Sequence, residues 1–125
     1  DMKEEPVDHE SSNNIETDIL RTAVASCSEA MSFATEPVRS GRDLEALARD
    51  LAPMMGIDRA CYEAACQRQP WPKVALTVMT ILQMGSRIRN MPAYFRSVLL
   101  GRRAESFDVL AVLRRLPRAA PQPAC

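Results

Sequence analysis

The stretch from Trp71 to Met84 constrains this chain most. Placed on a helix, Val74, Ala75, Leu76, Val78, Met79, Ile81, Leu82 and Met84 leave it no continuous polar face. A helix that is apolar almost all round is stable in water only when neighbours cover it on every side. Glycine is scarce, β-branched alternation is absent, and apolar residues elsewhere recur at three- and four-residue steps. These features predict an all-α domain, a compact orthogonal bundle of five to six helices around a central buried helix.

The wrapping elements have start and stop signals. A first helix is expected over Ile15 to Cys27, its stripe made by Ile15, Ile19, Leu20, Ala23, Val24 and Cys27. A polar, small-residue stretch ending at Glu36-Pro37 then breaks the pattern, because Pro37 lacks an N–H and disfavours helix at the residue before it. Ser40, with Asp43 three residues on, has the spacing of a capping box for a second helix, with Leu44, Leu47, Ala48, Leu51 and Met55 inward. Gly56 is placed to end it in the left-handed conformation. Asp58 caps a short third helix that presents Tyr62, Ala65 and Cys66, and Trp71-Pro72 opens the central one with proline in its first turn. Gly85 ends the central helix. Asn90 caps a helix from Pro92 to Arg103 with Tyr94, Phe95, Val98 and Leu99 inward, and Ser106 caps a last one, stopped by Pro117.

Domain limits follow from composition. Asp1 to Asn14 is almost wholly polar or charged and cannot offset the entropy of ordering itself, so it is expected to be a disordered acidic head. Residues 15–116 form the helical domain. The Pro/Ala-rich tail 117–125 is expected to be loose. No apolar run reaches the roughly 18 residues that a membrane span needs, and no signal peptide opens the chain. We therefore expect a soluble, cytoplasmic protein with no membrane contact.

Charge is sharply divided. Residues 68–125 carry ten Lys/Arg against Glu105 and Asp108, a net of +8, while the first 67 residues carry a net of −8. A cationic surface of this kind attracts polyanions or an acidic protein face. Arg87, Arg89, Arg96, Arg102, Arg103, Arg114 and Arg115 are the candidate binding residues. Arg87 and Arg89 precede the free N–H groups of a helix start, which together suit a phosphate or carboxylate. The plainer alternative for each arginine is a solvated face, and it weakens for the cluster because so few acids accompany it. Tyr94 and Phe95 fit either the core or a base-stacking platform. Trp71 either covers the core or stands as an exposed anchor.

Chemistry is sparse. Cys27, Cys61, Cys66 and Cys125 form no C-x-x-C pair, and the sole histidine, His9, lies in the head. This argues against a metal site and against Cys-His catalysis, and favours small core thiols in a reducing compartment. No glycine-rich phosphate loop or nucleophile motif is present, so neither catalytic residues nor a cofactor are expected.

Together these residues give a resemblance. Cys27 after an apolar helix is followed by Pro37, Arg42-Asp43-Leu44 and Met54-Met55-Gly56-Ile57, leading to Tyr62, Glu63 and Ala64. Then come Val74-Ala75, Ile81-Leu82-Gln83, Ile88-Arg89-Asn90, Ala93-Tyr94-Phe95-Arg96, Arg102-Arg103-Ala104-Glu105, Phe107 and the closing Leu110 to Arg115. In this order and spacing the chain resembles, from Leu20 to Leu116, the C-terminal domain of the RepC-type replication initiators of repABC plasmids. Here Pro92 sits one place later than the family's proline, Ala93 replaces a glycine, and the stretch between Ala104 and Phe107 is shorter. The resemblance implies a non-enzymatic, origin-binding initiator whose N-terminal winged-helix region is absent from this chain, the acidic head being the remains of a linker. It leaves two roles open. One is accessory binding of plasmid origin DNA through its phosphates. The other is a protein module that oligomerises the initiator or recruits a helicase or its loader.

Overall fold

A computed structural model describes residues 17–116, and within them the chain is all-α. Seven helices follow in order: α1 (17–26), α2 (Ser28–Met31), α3 (Gly41–Met54), α4 (Arg59–Arg68), α5 (Trp71–Met84), α6 (Met91–Leu100) and α7 (Val109–Arg115). Single 3₁₀ turns at Gly85–Arg87 and Ala104–Ser106 precede α6 and α7. The acidic head and the tail expected from composition lie outside the described residues, as do Ile15 and Arg118.

Helix α5 is the centre of the bundle. Its residues Val74 to Ile81 are buried without interruption, and α2, α3, α4, α6 and α7 all pack on it. Each large apolar side chain withdrawn from water here contributes about 1.5–3 kcal/mol. Two threonines share this dry environment. The Thr77 hydroxyl donates to the Lys73 carbonyl at 2.6 Å, whereas the Thr80 hydroxyl is buried with no partner.

The predicted caps form as hydrogen bonds. Ser40 Oγ accepts from the Asp43 N–H at 3.1 Å, and the Asp43 carboxylate in turn accepts from the Arg39 N–H at 3.0 Å. Asp58 accepts from the Cys61 N–H at 2.8 Å and Asn90 from the Ala93 N–H at 3.0 Å. At the end of α3, Gly56 adopts φ +88°, its N–H bonds the Pro53 carbonyl and the Ile57 N–H bonds the Ala52 carbonyl. That paired closure, a Schellman motif, requires a left-handed residue that glycine adopts freely. A side chain on Gly56 would also meet Pro92 Cγ at 3.1 Å.

Several expectations are corrected. The first helix breaks at Cys27 (φ −113°, ψ 60°), and α2 follows where only a break was expected. A four-residue helix has little stability of its own. This one is held by α5, whose Gln83 Oε1 accepts the Glu29 N–H at 2.9 Å. Val24, assigned to the inner stripe of α1, is 45% exposed. Helix α6 ends at Leu100, three residues early, because Gly101 turns away at φ −82°, ψ −173°, so Arg102 and Arg103 lie in the following turn. The cap of α7 is Asp108, which accepts from the Ala111 N–H at 3.2 Å, and Ser106 instead bonds the Arg103 carbonyl.

Removing an unpartnered buried hydroxyl while keeping its shape relieves a desolvation penalty. Thr80→Val is expected to raise unfolding stability by about 1 kcal/mol, read from the midpoint of urea denaturation. An unchanged or lowered midpoint would show that the Thr80 hydroxyl is satisfied in solution.

Candidate nucleic-acid interface

The nine described bases of the C-terminal half divide into two groups by what they touch. Arg68 and Lys73 are structural. Arg68 Nη1 donates to the Leu100 carbonyl at 3.1 Å, and Lys73 Nζ donates to the Ala104 carbonyl at 2.7 Å while lying 6.0 Å from the Phe107 ring centroid. Gln69, itself buried, adds a bond to the Leu99 carbonyl at 3.0 Å. The turn between α4 and α5 thus supplies the donors that the C-terminal carbonyls of α6 lack, with positive charge at the negative end of the helix dipole.

The second group, besides Arg118 outside the described residues, is Arg87, Arg89, Arg96, Arg102, Arg103, Arg114 and Arg115. All seven are exposed. Arg87 closes the 3₁₀ turn and Arg89 lies between it and α6. Arg96 stands on the outward face of α6, flanked by the exposed small residues Ala93 and Ser97. Arg102 and Arg103 follow the helix, and Arg114 and Arg115 form the last turn of α7. Among the described residues the only ion pairs are Arg49–Glu45 at 3.7 Å and Arg59–Glu63 at 3.2 Å, both on α3 and α4. Arg49 also lies 5.3 Å from the Tyr62 ring centroid. Both ion pairs thus fall in the acidic half, and none of the seven arginines has a carboxylate in ion-pair range among the described residues. One of the two acids near the second group, Asp108, is committed to capping α7.

The helix start expected to offer free N–H groups is partly used up: Pro92 has no N–H, and the Ala93 N–H is bonded by Asn90. The aromatic candidates also resolve. Phe95 is fully buried and stacks on Tyr62 with ring centroids 6.1 Å apart and planes 9° from parallel, so it is no base platform. Tyr94 is half-buried against the core. Trp71, proposed as an exposed anchor, is half-buried and packs on the core at the start of α5.

The thiols are held protonated. Burial pushes Cys27 up to about 12 and Tyr62 up to about 12. Cys61, half-buried, is also raised by burial, with the neighbouring Arg96 pulling the other way. Cys61 and Cys66 are thus less enclosed than small core residues, and only Cys27 is fully buried. Among the described residues no group of three His, Cys, Asp or Glu side chains could hold a metal ion. No described helix is long and apolar enough to cross a membrane.

The family model for the replication protein C C-terminal region matches residues 19–118. The chain belongs to that family. Membership of the replication protein C C-terminal region gives it a part in plasmid replication, and the match spans all seven arginines, Arg118 and the whole of α5. No curated protein and no solved structure shows a match.

Sequence reasoning counted Arg68 and Lys73 in the net +8 but gave them no structural role, because their carbonyl partners lie about 30 residues away, beyond any local pattern. The early end of α6 had a usable signal in Gly101, where a side chain would collide with the Ser97 carbonyl. Lys73→Met is expected to cost about 1.5–3 kcal/mol by removing a hydrogen bond from a charged donor to the Ala104 carbonyl, while Arg114→Ala stays within about 0.5 kcal/mol of the parent, both read by urea denaturation. Equal effects would dissolve the distinction between structural and free bases.

A pH dependence follows from Cys27. Its folded-state value is raised from 9.0 to about 12, so between these limits the folded state holds a proton that the unfolded state releases. Stability is then complete below pH 9 and falls as pH rises toward 12. Thermal melts over this range should show a shallower fall in Cys27→Ala than in the parent, and parallel curves would contradict the assignment.

Proposed function

We propose that this is a non-catalytic domain of a plasmid replication initiator that binds DNA phosphates as an accessory to a winged-helix region. One observation carries the reading: seven exposed arginines surround α6 and end α7 with no carboxylate in ion-pair range among the described residues. Guanidinium groups stay charged at any physiological pH and match phosphate oxygens in a two-pronged geometry. A ten-residue helix is about 15 Å long, so the arginines before and after α6 are spaced to meet separate phosphates of one strand.

The same geometry favours contacts that do not read bases. Asn90, a residue type suited to reading adenine, has its side-chain oxygen engaged in capping α6. Phe95 is inside the core. What remains outward on α6 is Arg96 between alanine and serine, a smooth face on which a sugar-phosphate backbone can approach closely. Contacts of this kind position a protein on DNA without specifying sequence.

The test is titration of the chain against labelled duplex and single-stranded DNA at several salt concentrations. Binding should weaken steeply with salt. Arg87→Ala, Arg89→Ala and Arg96→Ala together should reduce the log–log salt slope by about 2 to 3 with unchanged helicity by circular dichroism. Absence of binding at low salt would overturn the reading and move the arginines to a protein partner such as a helicase or its loader.

A further inference from the structure

The opposite side of the molecule carries a groove of different chemistry. Residues 34–38 run between α1 and α3, and hollows of about 230 Å³ and 440 Å³ adjoin there, both lined by Ala34, Thr35, Glu36 and Val38. Phe33 and Met54 border the hollow against α3, and Val24 borders the one against α1. These three are the exposed large hydrophobic side chains of the described residues, at 47%, 64% and 45% exposure. Their convergence on one feature sets it apart from singly scattered surface residues, which need no explanation. Glu36, Asp43 and Asp50 stand around the groove, and no basic side chain lines either hollow.

We propose that this groove docks a basic amphipathic helix of a protein partner, which places apolar side chains in the two hollows and lysines or arginines against Glu36, Asp43 and Asp50. Charge complementarity selects the occupant. Glu36, Asp43 and Asp50 line the two hollows without a base. Arg21 lies at a further hollow beyond Val24 and Val38, and Arg39 and Arg42 beside the groove's edge, so the negative charge sits at the apolar hollows themselves and disfavours nucleic acid and acidic peptides there. Apolar hollows require apolar anchors, and a helix supplies these on one face while satisfying its own backbone.

Other occupants fit poorly. Residues 1–16 carry six carboxylates and one lysine, so like charge disfavours them. Residues 117–125 contain no large apolar side chain. A second copy pairing groove to groove would set carboxylates against carboxylates. A second copy presenting its arginines would bring no large apolar anchor, because the exposed ones all border the groove itself. The groove shares no residue with the seven arginines, so this proposal stands or falls separately from DNA binding.

The experiment uses the full chain and a labelled synthetic lysine/leucine peptide of about four turns, with leucines at i, i+3, i+4 and i+7. Two control peptides accompany it, one of the same composition without an apolar face and one with glutamate replacing lysine. Fluorescence anisotropy should show binding of the amphipathic basic peptide, at least about tenfold weaker binding of the faceless control, and none of the acidic control. Asp50→Lys combined with Met54→Ser changes two exposed side chains and should weaken binding by about tenfold or more with the circular dichroism spectrum retained. DNA affinity should not fall in that variant, whereas the Arg87/Arg89/Arg96 triple variant should keep peptide affinity and lose DNA. Equal binding of the amphipathic and faceless peptides, or of parent and variant, would overturn the proposal. So would a dimer, seen by sedimentation velocity, that disappears in Met54→Ser, because the groove would then be an interface between copies.

Discussion

Unbroken burial of α5 from Val74 to Ile81 is the constraint from which the remaining structure follows. A helix with no polar face cannot rest at a surface, and the 14 residues from Trp71 to Met84 need cover on every side. Five helices supply it. The cost appears at the polar atoms that the dry environment encloses. Thr77 returns its hydroxyl to the preceding turn, and Thr80 finds no partner. Even the four-residue α2 exists because the far end of α5 offers Gln83 to its N-terminus.

Covering α5 also sorts the charges. The turn into α5 lies beside the end of α6, which brings Arg68 and Gln69 onto the last carbonyls of α6 and Lys73 onto the Ala104 carbonyl. Those donors turn part of a nominally basic surface into structure. The seven arginines left over face water without acids, and the carboxylates collect with exposed Val24, Phe33 and Met54 on the other side. Although the total charge of the chain is zero, the seven arginines and the acidic groove therefore occupy different parts of the described domain.

Local signals were legible wherever the chemistry is local. Ser40, Asp58 and Asn90 cap the helices expected of them, and Gly56 and Gly85 take positive φ where helices end. Each depends on a side chain reaching an N–H two or three residues away, or on a backbone conformation that only glycine adopts easily. Ser106 and Asp108 show the limit. Both are good capping residues two positions apart, and the 3₁₀ turn at Ala104–Ser106 takes the serine and leaves the helix start to aspartate.

From residue order alone came the all-α class, the identity of the central helix, most of the inward faces and the division of charge, because 3.6-residue periodicity and composition record which surfaces must avoid water. Only the tertiary structure decided which arginines stand outside any ion pair, that Phe95 belongs to the core and Trp71 packs against it, that Asn90 takes up the Ala93 N–H at the start of α6, and that three exposed apolar side chains meet at one acidic groove. Those outcomes depend on contacts between segments about 20 to 50 residues apart, and periodicity carries no record of which distant carbonyl or carboxylate a side chain will meet.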